Sequence, residues 1–136
     1  MFRKLTHVGV AVKDLEAASS LFARLLNAGA GKTELVADQQ VKLTFFNVGE
    51  TSIELTEAIS PDAPIARFIE RRGEGIHHIS FEVDDIDAEL VRLKSEGFQL
   101  IDEKPRRGAD GHWVAFIHPK STNGVLVEIS QKIKKS

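Results

Sequence analysis

The sequence predicts an α+β fold made of two tandem βαβββ units that together form a curved mixed sheet. Three observations carry this prediction. A segment near the N-terminus recurs near the middle of the chain, and a second segment recurs at a similar spacing. Each copy starts with the strict alternation of a half-buried strand and continues with apolar residues at helical spacing. An internal duplication of this kind is typical of a fold assembled from repeated units.

The repeat is visible in two separate alignments. Residues 7–17 align with residues 78–88 at an offset of 71, which pairs histidine with histidine and, after the strand, aspartate with aspartate. Residues 53–56 align with residues 127–130 at an offset of 74, which pairs glutamate with glutamate. The two offsets differ by only three residues, so the copies differ by one short loop between their matched ends.

In the first copy, Val8, Val10 and Val12 alternate with small or polar residues, which predicts a strand with one apolar face. Asp14 is the predicted N-cap of a helix that ends at Asn27-Ala-Gly29. Three further strands are predicted over about 32–38, 41–47 and 51–57.

In the second copy, Asp85 is the predicted N-cap of a helix that ends at Glu96-Gly97. Strands are predicted over about 98–102, 112–118 and 124–130. The pattern predicts one domain over 1–136, with repeat one at about 4–58, a connector helix at about 62–73 and repeat two at about 76–131.

The composition bears on which partners to expect. There are 18 basic and 20 acidic residues and a formal net charge of -2, which gives no electrostatic reason to expect nucleic acid or an anionic membrane. No apolar run approaches the roughly 20 residues that span a bilayer. The first residues enter a strand pattern directly instead of a signal peptide, so we expect a cytoplasmic protein.

Four side chains are candidates for a metal site. The chain has no cysteine, so histidine and carboxylate are the available ligands. In each strand the alternation places the candidate ligand on the polar or small face, opposite the apolar face that a helix covers. The repeat then predicts a curved sheet around one metal site, whose nitrogen and oxygen donors suit Co²⁺, Mn²⁺, Ni²⁺, Fe²⁺ or Zn²⁺. The predicted ligands are His7, Glu54, His78 and Glu128.

Three segments carry a family resemblance: Gly75-Ile-His-His-Ile-Ser-Phe-Glu-Val-Asp-Asp-Ile86, Phe116-Ile-His-Pro-Lys-Ser121 and Gly124-Val-Leu-Val-Glu-Ile129. With them, almost the whole chain resembles the vicinal oxygen chelate superfamily, and within it the methylmalonyl-CoA epimerase family. The resemblance implies a divalent metal, with Co²⁺ first and Mn²⁺, Ni²⁺ or Zn²⁺ as alternatives. It also implies an acyl-CoA thioester as substrate and a homodimer as the assembly.

The implied activity is interconversion of (2R)- and (2S)-methylmalonyl-CoA by removal and return of the proton on C2. Glu128 and Glu54 are then the expected bases, and the substrate-binding candidates are His118, Lys120 and Ser121. Where some family members carry a second glutamate this chain has Leu43, which leaves open the group that serves the opposite face of the enolate. The nearby alternatives for that role are Lys42, Thr44 and Glu82.

Three other functions stay open at this point. A glyoxalase I-like lactoylglutathione lyase can use the same four ligands and also moves a proton next to a metal-bound oxygen. A ring-cleaving dioxygenase normally has two histidines and one carboxylate, so the fourth ligand counts against it. A non-enzymatic small-molecule binder of the same superfamily would have no need to retain acidic metal ligands.

Overall fold

The chain forms two compact units that correspond to the two sequence repeats. A computed structural model describes residues 1–134, and Lys135 and Ser136 lie outside the described part. One unit comprises residues 7–77, and the other comprises residues 1–6 together with the chain from His78 onward. Each of the two sequence repeats therefore corresponds approximately to one compact structural unit. The single domain over 1–136 stays a prediction.

The unit of residues 7–77 has the predicted order of strand, helix and three strands, followed by the connector helix. Its strands lie in the order β2, β3, β4, β1. Strand β1 is parallel to β4, and the other neighbours are antiparallel, so this part of the sheet is mixed. The elements are β1 (Phe2–Ala11), α1 (Leu15–Leu26), β2 (Glu34–Val36), β3 (Val41–Val48), β4 (Thr51–Ala58) and α2 (Pro64–Arg72).

Helix α1 begins and ends where its sequence predicts. The Asp14 carboxylate accepts a hydrogen bond from Ala17 N at 3.1 Å, and Asn27 closes the helix in the left-handed conformation. Glu57 of β4 also accepts from Leu15 N at 2.6 Å, which ties the first turn of the helix to the sheet. One apolar cluster joins the helix to the sheet, with Val12, Leu15, Phe46 and Leu55 buried at its centre.

The second unit repeats this plan. Residues 2–6 of β1 belong to it, and Met1 O accepts a hydrogen bond from Asp84 N at 3.2 Å. From β5 the strand order is β5, β8, β7, β6, with β5 parallel to β8 and the rest antiparallel. The elements are β5 (Gly75–Val83), α3 (Ile86–Ser95), β6 (Arg106–Arg107), β7 (His112–Ile117) and β8 (Val127–Lys132).

The contacts that anchor helix α3 match those of α1. Asp85 accepts from Ala88 N at 3.1 Å, and Gln131 of β8 accepts from Ile86 N at 2.8 Å, as Glu57 does in the first unit. The apolar side of the helix packs on the sheet, and Trp113 is partly buried against this core. The buried members of the core are Val83, Ile86, Leu90, Leu93, Ala115, Ile117 and Ile129.

One predicted strand is wrong. Residues 98–102 do not form a strand, and Leu100 makes only an isolated bridge to Ile117. The backbone there is used by a turn instead: Gln99 O accepts from His118 N at 2.8 Å, and Gln99 N donates to Ser121 Oγ at 2.7 Å. The edge strand is the two-residue β6. Within residues 1–134, no helix is long and apolar enough to cross a membrane.

Replacing Asp85 with alanine should lower the free energy of unfolding by about 1 kcal/mol, because it removes the N-cap acceptor of α3. Urea denaturation followed by circular dichroism measures the change. Ser95→Ala, at the exposed last position of the same helix, is the matched control and should stay within about 0.5 kcal/mol of the wild type. An Asp85→Ala protein as stable as the Ser95→Ala protein would contradict the capping role.

Candidate metal and substrate site

The first histidine–glutamate pair consists of His7 and Glu54, and both side chains lie on the sheet face opposite α1, here called the helix-free face. Strands β1 and β4 pair in the register that sets Gly9 beside Glu54 and His7 beside Ser52. Residues paired across neighbouring strands share a face, so the imidazole and the carboxylate meet. His7 Nε2 lies 3.5 Å from Glu54 Oε2, and the side chains are 13% and 8% exposed.

Two neighbours hold this first pair in place. Thr56 Oγ1 donates a hydrogen bond of 3.0 Å to Glu54 Oε1, which leaves Oε2 directed at the histidine. Phe45 pairs with Glu54 across β3 and β4, and its ring meets the His7 imidazole edge to face at a centroid distance of 5.6 Å. The carboxylate and the imidazole are thus oriented by packing as well as by each other.

The second histidine–glutamate pair consists of His78 and Glu128, and both residues are buried. Glu128 pairs with Ser80 of β5 on one side and with Phe116 of β7 on the other. The Phe116 ring meets the His78 imidazole nearly perpendicularly, at a centroid distance of 5.8 Å. In each unit, therefore, a phenylalanine on the helix-free face contacts the histidine ring and pairs across strands with the glutamate.

The phenylalanines were missed by the sequence reasoning, although a signal was present. Phe45 and Phe116 are separated by the same 71 residues as His7 and His78. Both are apolar residues on the face that the alternation assigns to polar or small groups, so the period of two in β3 and β7 does not single them out.

The two copies differ in the hydroxyl groups around their carboxylates. Thr56 donates to Glu54 in the first unit, whereas the equivalent Ser130 donates to the Phe81 carbonyl at 3.5 Å. Beside Glu128 stands Ser80, at the position that Gly9 occupies beside Glu54. The same backbone plan thus gives the two carboxylates different hydrogen-bond environments.

The donor atoms of the first pair suit a divalent metal. Two neighbouring ligands, each 2.0–2.2 Å from a first-row ion, lie about 3 Å apart. The 3.5 Å between His7 Nε2 and Glu54 Oε2 is close to that value. The chemistry also fits, because imidazole nitrogen and carboxylate oxygen bind Co²⁺, Mn²⁺, Ni²⁺ and Zn²⁺ without thiolate.

The predicted substrate-binding residues lie together in the turn that follows β7. His118 Nδ1 accepts a hydrogen bond from Lys120 N at 3.0 Å, and Ser121 Oγ accepts from Gln99 N, so both side chains shape the turn. The Lys120 side chain is exposed. A role in substrate binding stays a prediction for all three residues.

Two of the alternatives for the second base are wrong. Lys42 lies on the helix-packed face, where its Nζ is 3.5 Å from Glu57 Oε2. Thr44 lies on the same face and donates to Gly31 O at 2.9 Å. Strand alternation places Leu43 between them on the helix-free face, opposite Thr56, where it is buried. Glu82 shares the face of His78 and stays a prediction.

Comparison with known proteins places the chain in a family. Residues 6–116 match the profile of the Glyoxalase/Bleomycin resistance protein/Dioxygenase superfamily. The chain therefore belongs to this superfamily, whose α+β fold agrees with the mixed strand order of the two units.

Similarity to individual proteins narrows the family of this chain further. The chain is 41% identical to an ethylmalonyl-CoA/methylmalonyl-CoA epimerase of Cereibacter sphaeroides, over 96% of this chain and 99% of the relative. It is 38% identical to the mitochondrial methylmalonyl-CoA epimerase of Homo sapiens, over 94% and 73%. A solved methylmalonyl-CoA epimerase in complex with methylmalonyl-CoA and NH4+ superimposes with a TM-score of 0.93 at 28% identity, covering 97% and 96%. Within the superfamily, the chain belongs with the methylmalonyl-CoA epimerases.

Proposed function

We propose that this protein is a metal-dependent epimerase that interconverts (2R)- and (2S)-methylmalonyl-CoA. The observation that carries the proposal is the duplicated set of histidine and glutamate side chains on the helix-free faces of the two units, of which Glu54, His78 and Glu128 are buried and His7 is partly buried. The names of the relatives supply the substrate class, since they act on malonyl-type CoA thioesters. The chemistry agrees, because the C2 proton lies between a carboxylate and a thioester carbonyl and leaves an enolate that needs stabilisation.

The proposed metal ligands are those of the two histidine–glutamate pairs. His7 and Glu54 of one unit lie 3.5 Å apart, and His78 and Glu128 of the other unit are their equivalents in the repeat. When bound, a divalent cation would supply a positive charge that stabilises the enolate oxygens. Co²⁺ is the proposed ion, with Mn²⁺, Ni²⁺ and Zn²⁺ as alternatives, and metal analysis of protein purified without chelators tests this choice.

Proton transfer is assigned to the two glutamates. One carboxylate oxygen of Glu128 would take the proton from C2, and Glu54, protonated at the start of the turnover, would give its proton to the opposite face of the planar enolate. The turnover leaves Glu128 protonated and Glu54 ionised, and the reverse reaction starts from that state. Both carboxylates are buried, and a water-excluded site keeps the enolate from competing proton donors. The hydrogen bond from Thr56 to Oε1 limits the rotation of Glu54 and keeps Oε2 directed at His7.

The test is deuterium exchange. Purified protein with Co²⁺ is incubated with (2R)-methylmalonyl-CoA in deuterated water, and the product is examined by mass spectrometry and by chiral analysis. Gain of one deuterium at C2 together with a mixture of epimers is the expected result. No exchange with the metal-loaded protein would overturn the proposal, and turnover of the methylglyoxal-glutathione hemithioacetal would favour the lyase instead.

Replacing Thr56 with valine should weaken metal binding roughly 10- to 100-fold, because an outer hydrogen bond that orients a ligand is lost while the shape of the side chain is kept. Calorimetric titration of metal-free protein with Co²⁺ measures the affinity. Thr44→Val is the matched control, since Thr44 is an equally buried threonine on the helix-packed face. Equal metal affinities in the two variants would contradict the role of Thr56.

The homodimer and the cytoplasmic location stay part of the proposal. Analytical ultracentrifugation at several concentrations tests the assembly, and fractionation of cells that express the protein tests the location. A monomer at all concentrations would remove the homodimer from the proposal.

A further inference from the structure

Arg106 is a cation on the helix-free face of the second unit. It pairs with Val114 across β6 and β7, and Val114 shares its face with Phe116, two residues further along β7. The Arg106 guanidinium carbon lies 5.7 Å from the centroid of the Phe116 ring. The same ring contacts His78 and stands opposite Glu128. The guanidinium therefore lies one aromatic ring away from two of the proposed metal ligands.

The Nε donor of Arg106 has no hydrogen-bond partner among residues 1–134, although the guanidinium forms an ion pair with Asp102. A guanidinium has five N–H donors, yet its described polar neighbour is Asp102, whose Oδ1 is 3.5 Å from Nε. Asp102 is itself occupied, because its Oδ2 accepts from Phe116 N at 2.9 Å. The Arg106 Nε is buried and makes no hydrogen bond within residues 1–134.

A second buried donor on this face also lacks a hydrogen-bond partner among residues 1–134. The Ser80 hydroxyl, beside Glu128, is fully buried, and it and the Arg106 Nε are the two buried side-chain polar atoms without a partner in the described chain. Buried polar groups are costly when they are left unpaired, so such atoms call for an explanation. Both are donors on the helix-free face of one unit, and a ligand with acceptor oxygens would supply the partner that Arg106 Nε lacks.

We propose that Arg106 binds the free carboxylate of the acyl group and so selects malonyl-type thioesters over simple acyl-CoA esters. This inference rests on the proposed function. Methylmalonyl-CoA and ethylmalonyl-CoA, the substrates in the name of the Cereibacter sphaeroides relative, share this carboxylate and differ in the alkyl group. The planar guanidinium fork matches a carboxylate. The carboxylate is favoured over the phosphates of the carrier because Arg106 lies beside the ring that contacts His78, where the reacting end of the substrate is proposed to sit.

The neighbouring Arg107 provides a matched control. It pairs with Trp113, and its guanidinium carbon lies 5.4 Å from the Trp113 ring on the helix-packed face. Removing Arg107 changes the net charge of the protein by the same amount as removing Arg106. It leaves the helix-free face as it is.

The experiment compares two ligands by calorimetry: the equilibrated epimers of methylmalonyl-CoA, and propionyl-CoA, which has the same carrier and thioester but no carboxylate. Arg106→Met should weaken binding of methylmalonyl-CoA roughly 10- to 100-fold and change the affinity for propionyl-CoA less than about twofold. Arg106→Lys should restore part of the loss, because it keeps the charge without the fork. Arg107→Met should leave both affinities within about twofold of the wild type.

The other outcomes decide against the inference. Equal weakening for both ligands would assign Arg106 to the phosphates of the carrier, and unchanged affinities would remove it from substrate binding. Urea unfolding of Arg106→Met checks that the variant is folded, and Arg106→Lys serves if it is not. Deuterium exchange by the wild-type protein distinguishes failure of this inference from failure of the proposed function. If the wild type exchanges and Arg106→Met binds both ligands with wild-type affinity, only this inference is overturned. If the wild type neither exchanges nor prefers methylmalonyl-CoA, the proposed function is overturned.

Discussion

Glu128→Gln is expected to slow deuterium exchange at C2 of methylmalonyl-CoA by about 10²- to 10⁴-fold, the usual contribution of a positioned general base. An amide has nearly the same shape as the carboxylate but cannot take up the proton. Because Glu128 is buried and paired in register with Ser80 and Phe116, the substitution changes the charge of the site with little change in packing. Mass spectrometry of the thioester at timed intervals gives the rate.

The Co²⁺ content of the Glu128→Gln variant must also be measured, because Glu128 is a proposed metal ligand as well as a proposed base. If Glu128→Gln retains Co²⁺ and loses exchange, the carboxylate acts on the proton; if the metal is lost as well, addition of excess Co²⁺ separates the two effects. Glu96→Gln, an exposed glutamate at the end of α3, is the control and should exchange at the wild-type rate. Full exchange by Glu128→Gln would require another base.

Phe46→Ala is expected to lower the free energy of unfolding by roughly 3–5 kcal/mol, the range for removal of a buried aromatic ring. Phe46 is fully buried and lies at the centre of the core that joins α1 to the sheet in the unit of residues 7–77. A loss of this size is a large share of the stability of a small protein. Urea unfolding, followed by circular dichroism and fluorescence, measures it.

The adjacent residue is the matched control. Phe45 lies on the other face of β3, is only partly buried and contacts the His7 ring. Phe45→Ala should therefore destabilise the protein less than Phe46→Ala does, while it frees the His7 ring and weakens metal binding. Equal losses of stability in the two variants would contradict the assignment of faces on β3.

Local signals explain what could be predicted from the sequence. The caps of α1 and α3 are short-range contacts of Asp14 and Asp85 with residues three positions ahead, so their spacing is visible in the sequence. The faces of His7, Glu54, His78 and Glu128 follow from the period of two in a strand. The family resemblance then pointed to the substrate class.

The strand predicted over 98–102 shows where local signals stop. Its residues have the composition of a strand, but the pairing with β7 stops at one bridge between Leu100 and Ile117. Ile101 N and Asp102 N both donate to Phe116 O, and Gln99 is bonded to the turn of His118 and Ser121. Lys42 and Thr44, two of the three alternatives for the second base, lie on the other face for a related reason. Both lie next to Leu43 in the chain, and one step along a strand moves a side chain to the opposite face.

The sequence by itself determined the duplication, the caps of two helices and the faces of the four candidate ligands, because these depend on spacing within a single element. Only the tertiary structure decided which side chains surround those ligands. The hydrogen bond from Thr56 to Glu54, the ring of Phe116 against His78 and the guanidinium of Arg106 over that ring all depend on the register between strands. Register is set by packing between distant parts of the chain, and no short stretch of sequence contains it.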